Sequence, residues 1–437
     1  MKDYKKEYES KLVSCSEAAK TIKDGDNVFL GLSSSYAYSM ADAIWDRRHE
    51  LNDVTLQVFD VLSQDEMFKE TVGNPFKFMT PFLGPGERAA ISCGQNIKFS
   101  SMHVSDFHLF YTEIAKANVA VFNVSLPDED GNFSFGPAGG AINAPVLETA
   151  ERIIVQVNKK TPYAYGEVCS INIKDVDLIV ESDDEVPTYK EGEVGETAKE
   201  IAKHIIPLIP DAATIQLGIG AVSQAVAYGL KEKNDLGIFT ELYADVMMDL
   251  TKNGNVTNKK KGFMDGISVY GDAFGRSELY DYINYNKEMY SATFKFVNDV
   301  RNISKNKRMI SINSAMSMNL YGEIASEAMA FRQYSGIGGQ VDFVRGAQMS
   351  EGGKSFLAMT STFVKNGERK SRIVLDFPMG TPTTTSRADV QYVATEFGCV
   401  NLKTLTLQDR TRAIIGLAHP DYRDQLTEEA KRYGLFK

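Results

Sequence analysis

The sequence predicts an α/β protein made of two similar halves, each a parallel sheet covered by helices. Three observations carry that prediction: short apolar strands alternate with helical patterns, the alternation recurs in the second half, and an acidic stretch containing Pro and Gly separates the two. In the first half, Ala18-Ala19-Lys20 opens a helical pattern that runs into DGDNVFLGL (24–32), a polar loop and the helical SMADAIWDR (39–47). In the second, Ile201-Ala202-Lys203 runs into DAATIQLGIG (211–220) and the helical AVSQAVAYGL (221–230). Both continue with Asn-Asp and another strand, NDVTLQVFDV from Asn52 and NDLGIFTELY from Asn234. VDLIVES (176–182) is echoed by VQYVATEFG (390–398). Matches in a common order indicate duplication. ESDDEVP (181–187) followed by TYKEGEVGE reads as a solvated linker, which sets the expected domains at 1–186 and 187–437.

Composition narrows the class of function. The chain has 437 residues, 43% apolar and 24% charged, ample for cores without disulfide or metal staples. A net charge of −10 disfavours a general nucleic-acid binder. The start, MKDYKKEYESKLVSC, has no apolar signal region, and no apolar run approaches a membrane span, so a cytoplasmic protein with no membrane association is expected. Four scattered cysteines without a CxxC fit a reducing compartment, and five histidines show no metal spacing, so no metal is expected.

The 34 glycines include two clusters that call for an explanation. In QLGIGAVSQAV (216–226), a strand ends in Gly218-x-Gly220 and opens a helix, which lets backbone N–H groups approach an oxygen closely. As a dinucleotide fingerprint it lacks the third glycine, replaced by Ser223, although Glu241 lies 21 residues beyond Gly220 where a ribose-binding carboxylate belongs. A nicotinamide-dependent oxidoreductase therefore competes on pattern, and so does a plain strand-to-helix turn. YSGIGGQVDF (334–343) packs three glycines into four residues, which fits close backbone approach to a ligand or a bulge. Glu241 ends the strand LGIFTE, where open α/β sheets place ligands, in an apolar setting that favours a desolvated nucleophile. The aligned residue in the first half is Phe59, so the carboxylate is no shared need of the fold; a cap on the next helix is the competing reading. Lysines 259–261 read as a surface loop.

Longer motifs then point to a family. TELYAD (240–245), FVNDVR (296–301), SINSAMSMNLYGEIASE (311–327), SGIGGQVDFVRGA (335–347), VATEFG (393–398) and AHPDYRDQL (418–426), with QLGIGAV, follow one another in an order that resembles the class I coenzyme A transferases. The resemblance is to the acetyl-CoA hydrolase/transferase branch, which includes butyryl-CoA:acetate and 4-hydroxybutyrate CoA-transferases. It covers essentially the whole chain and implies two tandem Rossmann-like domains, the second carrying the nucleophile. It implies Glu241 as covalent nucleophile, backbone N–H groups of Ile219 and Gly339 (or Gly338) as oxyanion donors, and Asn298 beside the nucleophile. Gly218, Ile219, Gly220, Ala221, Val222, Gly338 and Met359 match family coenzyme A contacts. The implied activity is CoA transfer between an acyl-CoA and a small carboxylic acid by a homo-oligomer, with coenzyme A as substrate and covalent intermediate and no permanently bound cofactor.

The chain departs from the family pattern at three positions. Phe239 stands where His is common, Asn319 where Asp is usual and Glu323 where Gln is usual. These put the acyl substrate in doubt, and Tyr36, Tyr38, Phe59 and Phe82 are candidates for an apolar acyl pocket as well as for core. An acyl-CoA hydrolase on the same site and a non-catalytic CoA-binding subunit stand beside the oxidoreductase as alternatives.

Overall fold

The inner strands of the first half, such as Val119–Val124, are buried at every residue, so the sheet they form is covered on both faces. The computed structural model describes residues 4–62, 66–69, 74–189, 192–218 and 220–437. The strands run in the order Ile97–Phe99, Lys77–Thr80, Thr55–Gln57, Asn27–Phe29, Val119–Val124, Arg152–Asn158 and Leu178–Ser182. Every neighbouring pair is parallel. Val28, Val119 and Val121 enter one apolar cluster with Ala18, Met40, Ile44 and Trp45 of the covering helices. Phe29, Ala120, Phe122 and Val124 enter the other, with Phe107, Phe110 and Ala115. Each such fully buried large side chain contributes roughly 1.5–3 kcal/mol of transfer free energy. The first covering helix, Cys15–Ala19, starts where the sequence allows it: Ser14 accepts the Glu17 backbone N–H, and the Glu17 carboxylate accepts the Ser14 N–H.

By contacts the chain divides into two units. The first contains residues 1–190, 241–245 and 267–297; the second contains 191–240, 246–266 and 298–437. The strand Gly237–Tyr243 passes from the second unit to the first at the Thr240–Glu241 bond, and the first unit also holds the parallel pair Ser268–Ala273 and Met289–Ser291.

In the second unit Thr214–Leu217 pairs in parallel with Gly237–Tyr243 on one side, through Thr214↔Gly237 and Ile215↔Ile238, and with Met309–Ser314 on the other. Lys354–Ala358 and Tyr392–Thr395 follow in parallel, and Gly398–Asn401 closes this end antiparallel. Helix Glu196–Ile205 buries Ala198, Ile201, Ala202 and Ile205, one stripe at helical spacing.

The duplication extends to single hydrogen bonds. The backbone N–H of Asn52 donates to the Asp24 carboxylate at 2.8 Å, and that of Asn234 donates to Asp211 at 2.8 Å. The next residue in each half, Asp53 or Asp235, has positive φ. Two chain segments of different sequence reproduce one turn because the same carboxylate satisfies the same backbone donor.

The glycines at 136, 139 and 140 do more than turn the chain. Ser291 lies between Gly139 and Gly166: a Cβ on either would fall inside its van der Waals envelope, and Gly139 has φ +45° with ψ −131°, a region closed to side chains. Gly139→Ala is expected to destabilise the first unit by about 2–4 kcal/mol. The measurement is urea unfolding followed by the fluorescence of Trp45, the single tryptophan, which lies in this unit.

Candidate active site

The first glycine cluster takes its position from the buried strand Thr214–Leu217. The Gly218 N–H donates to Ile312 O at 2.8 Å, and a Cβ there would stand 2.9 Å from Asn313 Oδ1. Gly220, at φ +130° and ψ 167°, is the N-cap of helix Ala221–Gly229 and makes no side-chain capping bond. Ala221 is exposed and Val222 buried. The first backbone N–H groups of such a helix lack intrahelical acceptors and favour negative charge. Ile219, the expected oxyanion donor between the two glycines, lies outside the described residues. Under the turn, the side-chain amides of Gln216 and Asn313 exchange hydrogen bonds of 3.1 and 3.2 Å.

The second cluster is built the same way. Gly338 has φ +68°, and Gly339 caps helix Gln340–Met349. Asn298 is buried, and its Nδ2 donates to Asp342 of that helix at 3.3 Å. The two glycine turns, more than a hundred residues apart in sequence, meet at the end of strand Met309–Ser314. A Cβ on Gly220 would stand 3.1 Å from Ser314 Oγ, while Ser314 O accepts from Gln340 Nε2 at 2.9 Å. Met359 directly follows Ala358, the register partner of Ser314, and is buried in an apolar cluster with Val344, Leu357 and Ile415; its N–H donates to Ala394 O.

Glu241 is half-buried near the end of its strand, preceded by buried Phe239 and Thr240. At the helix that follows, Asp245–Lys252, the carboxylate of Asp245 accepts the backbone N–H of Arg276 at 3.0 Å. Gly271 matters here because it has no side chain: a Cβ would meet Glu241 O at 2.9 Å and Phe294 Cε1 at 2.6 Å. Phe294 packs 6.2 Å from both Phe59 and Phe107, and Phe59 packs 5.9 Å from Phe82. The four aromatic pocket candidates are therefore split between faces of the sheet. Phe59 and Phe82 belong to the cluster containing Phe294, Tyr36 and Tyr38 to the opposite one.

Sequence reasoning missed two buried acids, Glu87 and Asp272, and a half-buried one, Asp60, in this same unit. Glu87 is fully buried; burial first, then the charge of Asp60, pushes its carboxyl up to about 8 despite bonds from the N–H groups of Val61 and Gly84. Burial pushes Asp272 up to about 7 and Asp60 to about 6. No local motif announces them, since their desolvation depends on which loops close over the strand ends. The basic run also needs correction. Lys259 and Lys260 are exposed, but Lys261 is 1% exposed, donates to Ile238 O at 3.2 Å, and is pushed down to about 7 by burial.

The family departures have physical readings. Asn319 Nδ2 donates to Glu323 at 2.8 Å, and Asn319 Oδ1 accepts the N–H groups of Tyr321 and Glu323. An Asp–Gln pair exchanged for Asn–Glu keeps one amide and one carboxylate, so these two departures together preserve a turn brace. Phe239 is buried with its ring 6.1 Å from Phe263. Among the described residues no group of His, Cys, Asp and Glu is arranged to hold a metal, and no helix is long and apolar enough to cross a membrane.

Comparison with known proteins agrees along the chain. Residues 1–189 match the acetyl-CoA hydrolase/transferase N-terminal domain and residues 275–430 its C-terminal domain. The chain is 35% identical over 444 residues to butyryl-CoA:acetate CoA-transferase of Anaerostipes caccae, covering 99% of each. It is 35% identical over 425 residues to 4-hydroxybutyrate coenzyme A transferase of Clostridium kluyveri, covering 97% of this chain and 98% of the other. The crystal structure of RipA from Yersinia pestis superposes with a TM-score of 0.93 at 34% identity, over 99% of this chain and 100% of that one. With both domain models matched in order and relatives alike from end to end, the chain belongs to the acetyl-CoA hydrolase/transferase family.

Proposed function

We propose that the protein is an acyl-CoA:carboxylate CoA-transferase of the butyryl-CoA:acetate kind, working by ping-pong exchange on Glu241. The observation that carries this reading is the convergence of the two glycine turns on Ser314, in a chain whose strand end bears a half-buried carboxylate. A Glu241 oxygen attacks the thioester carbonyl of acyl-CoA; the C–S bond breaks, leaving an acyl-glutamyl anhydride and CoA thiolate. The thiolate attacks the glutamyl carbonyl, the C–O bond of the anhydride breaks, and the first acid leaves from a glutamyl-CoA thioester. An acceptor carboxylate runs the two steps in reverse, so thioester free energy is conserved without ATP.

Each step passes through an oxyanion, for which backbone N–H groups of Ile219 and Gly339 are the proposed donors; losing one such donor costs about 10²–10³ in rate. Gly218, Gly220, Ala221, Val222 and Gly338 are assigned to the coenzyme A wall. Asn298 is assigned to orienting Glu241 or the coenzyme A amide, and buried Met359 to a coenzyme A contact. The reading includes a cytoplasmic homo-oligomer whose ligands are acyl-CoA and small carboxylic acids.

Hydrolysis is the rival that the family description itself contains. Both reactions can use the same intermediates, and they differ in whether water reaches them. A panel of acyl-CoA donors incubated with acetate separates them. Acetyl-CoA formation in excess of free CoA release is expected, most of all with butyryl-CoA; dominant release of free CoA with no acetyl-CoA would overturn the transferase reading.

A further inference from the structure

We propose that Gln340 is a positioning residue that locks the Gly338–Gly339 turn in register with the Gly218–Gly220 turn, an inference that rests on the transferase reading above. Gln340 is the first residue of its helix, directly after the Gly339 cap, and is 8% exposed. Both ends of its side-chain amide are used. Nε2 donates to Ser314 O at 2.9 Å, and Oε1 accepts from Ser326 Oγ at 3.0 Å and from Thr385 Oγ1 at 2.9 Å. These partners leave one orientation for the amide, since only the nitrogen can face a carbonyl and only the oxygen can accept two hydroxyls.

The network continues around the glycine turn. Thr384 Oγ1 accepts the Ser326 N–H at 2.9 Å and donates to Glu327 Oε1 at 3.1 Å. Glu327 Oε2 accepts from Gln333 Nε2, and Glu327 O accepts the N–H groups of Tyr334 and Ser335. The segment 335–340 is thus tied at its entry by Glu327 and at its exit by Gln340. Glycines at 336, 338 and 339 leave that segment with high conformational freedom, so its N–H directions depend on such ties. Through Ser314 the exit tie also reaches the first turn, because Ser314 Oγ borders the position that a side chain on Gly220 would fill. A part-buried network whose groups are paired with one another holds geometry more tightly than its separate bonds.

The test compares Gln340→Leu and Gln340→Glu with the wild type across pH 5–8. Gln340→Leu removes the brace at all pH values. A donor misplaced by about 1 Å costs roughly 100-fold, so kcat is expected to fall by about that factor, with KM for acyl-CoA and the thermal midpoint little changed. In Gln340→Glu the introduced carboxylate, when ionised, would set an oxygen against Ser314 O. Its protonated form supplies an O–H donor there and an acceptor for the two hydroxyls. The ratio of variant to wild-type kcat is therefore expected to rise as pH falls for Gln340→Glu and to stay flat for Gln340→Leu. Wild-type kcat in Gln340→Leu, or loss of kcat only in step with loss of folded protein, would overturn the positioning role. So would a flat ratio for Gln340→Glu. Wild-type protein that transfers no CoA would instead sink the transferase reading, so the two failures are told apart by the unsubstituted control.

Discussion

Glu241→Gln is expected to lose at least about four orders of magnitude in CoA transfer while binding acyl-CoA nearly as well as the wild type. The amide is the same size as the carboxylate, so the substitution removes the nucleophile without adding bulk at the half-buried strand end. On the proposed route every turnover passes through a covalent bond to this side chain. Incubation of wild-type protein with butyryl-CoA, followed by intact-mass and peptide mass analysis, should show CoA on Glu241; the variant should show none. Glu241→Asp keeps the chemistry but withdraws the oxygens by one methylene, and a fall of roughly 100-fold is expected from misplacement alone. A Gln variant that still exchanges CoA at a substantial fraction of the wild-type rate would remove Glu241 from the mechanism.

The second large effect is on stability, with pH as its variable. Glu87 and Asp272 are buried acids whose carboxyls sit at about 8 and about 7, above their ordinary values. Asp60 beside them is only half-buried, so its upward shift weighs less. For an acid raised on folding, the folded state holds its proton longer than the unfolded chain does. The contribution of these two acids to the first unit's stability is therefore fully present below about pH 4, where both states are protonated, and is lost as pH rises toward the folded values of about 7 and about 8.

Glu87→Gln mimics the protonated acid. It is expected to match the wild type near pH 4, to exceed it by an amount on the order of a few kcal/mol near pH 8, and to flatten the curve between. The fluorescence of Trp45 during urea unfolding reads this unit. The second unit should run the other way: Lys261 is pushed down to about 7, so stability rises as pH climbs from there toward the ordinary lysine range. Equal stability of Glu87→Gln and wild type at pH 8 would refute the buried-acid account.

Much of the fold is legible in the chain alone. Apolar residues at Val28, Phe29 and Leu30 in succession require a strand covered on both faces, and the stripe Ala198, Ile201, Ala202, Ile205 requires a helix with one buried side. The Asn-Asp repeats at Asn52 and Asn234 mark the duplication that recurs as the same hydrogen bond. Glu241 and both glycine clusters stand out because their residue types are poorly suited to ordinary core positions. The exchange at 319 and 323, in contrast, looks like two separate losses in sequence and becomes one conserved pairing only when Asn319 is seen donating to Glu323. Lys261 reads as surface in the sequence because a charged run is usually solvated, and nothing local shows that the strand at Ile238 covers it.

The sequence by itself determined the alternation of strands and helices, the duplicated order, the places where the backbone must turn on glycine, and the position of the Glu241 carboxylate near a strand end. All of these are properties of short windows, set by side-chain period and by the steric freedom of single residues. Only the tertiary structure decided that the two glycine turns meet at Ser314, that Phe59 and Phe82 share a face with Phe294 while Tyr36 and Tyr38 do not, and that Glu87, Asp272 and Lys261 lose their water. Those outcomes follow from which strands lie side by side and which loops close over their ends. That order is chosen by the burial of the whole chain, so no window of the sequence contains it.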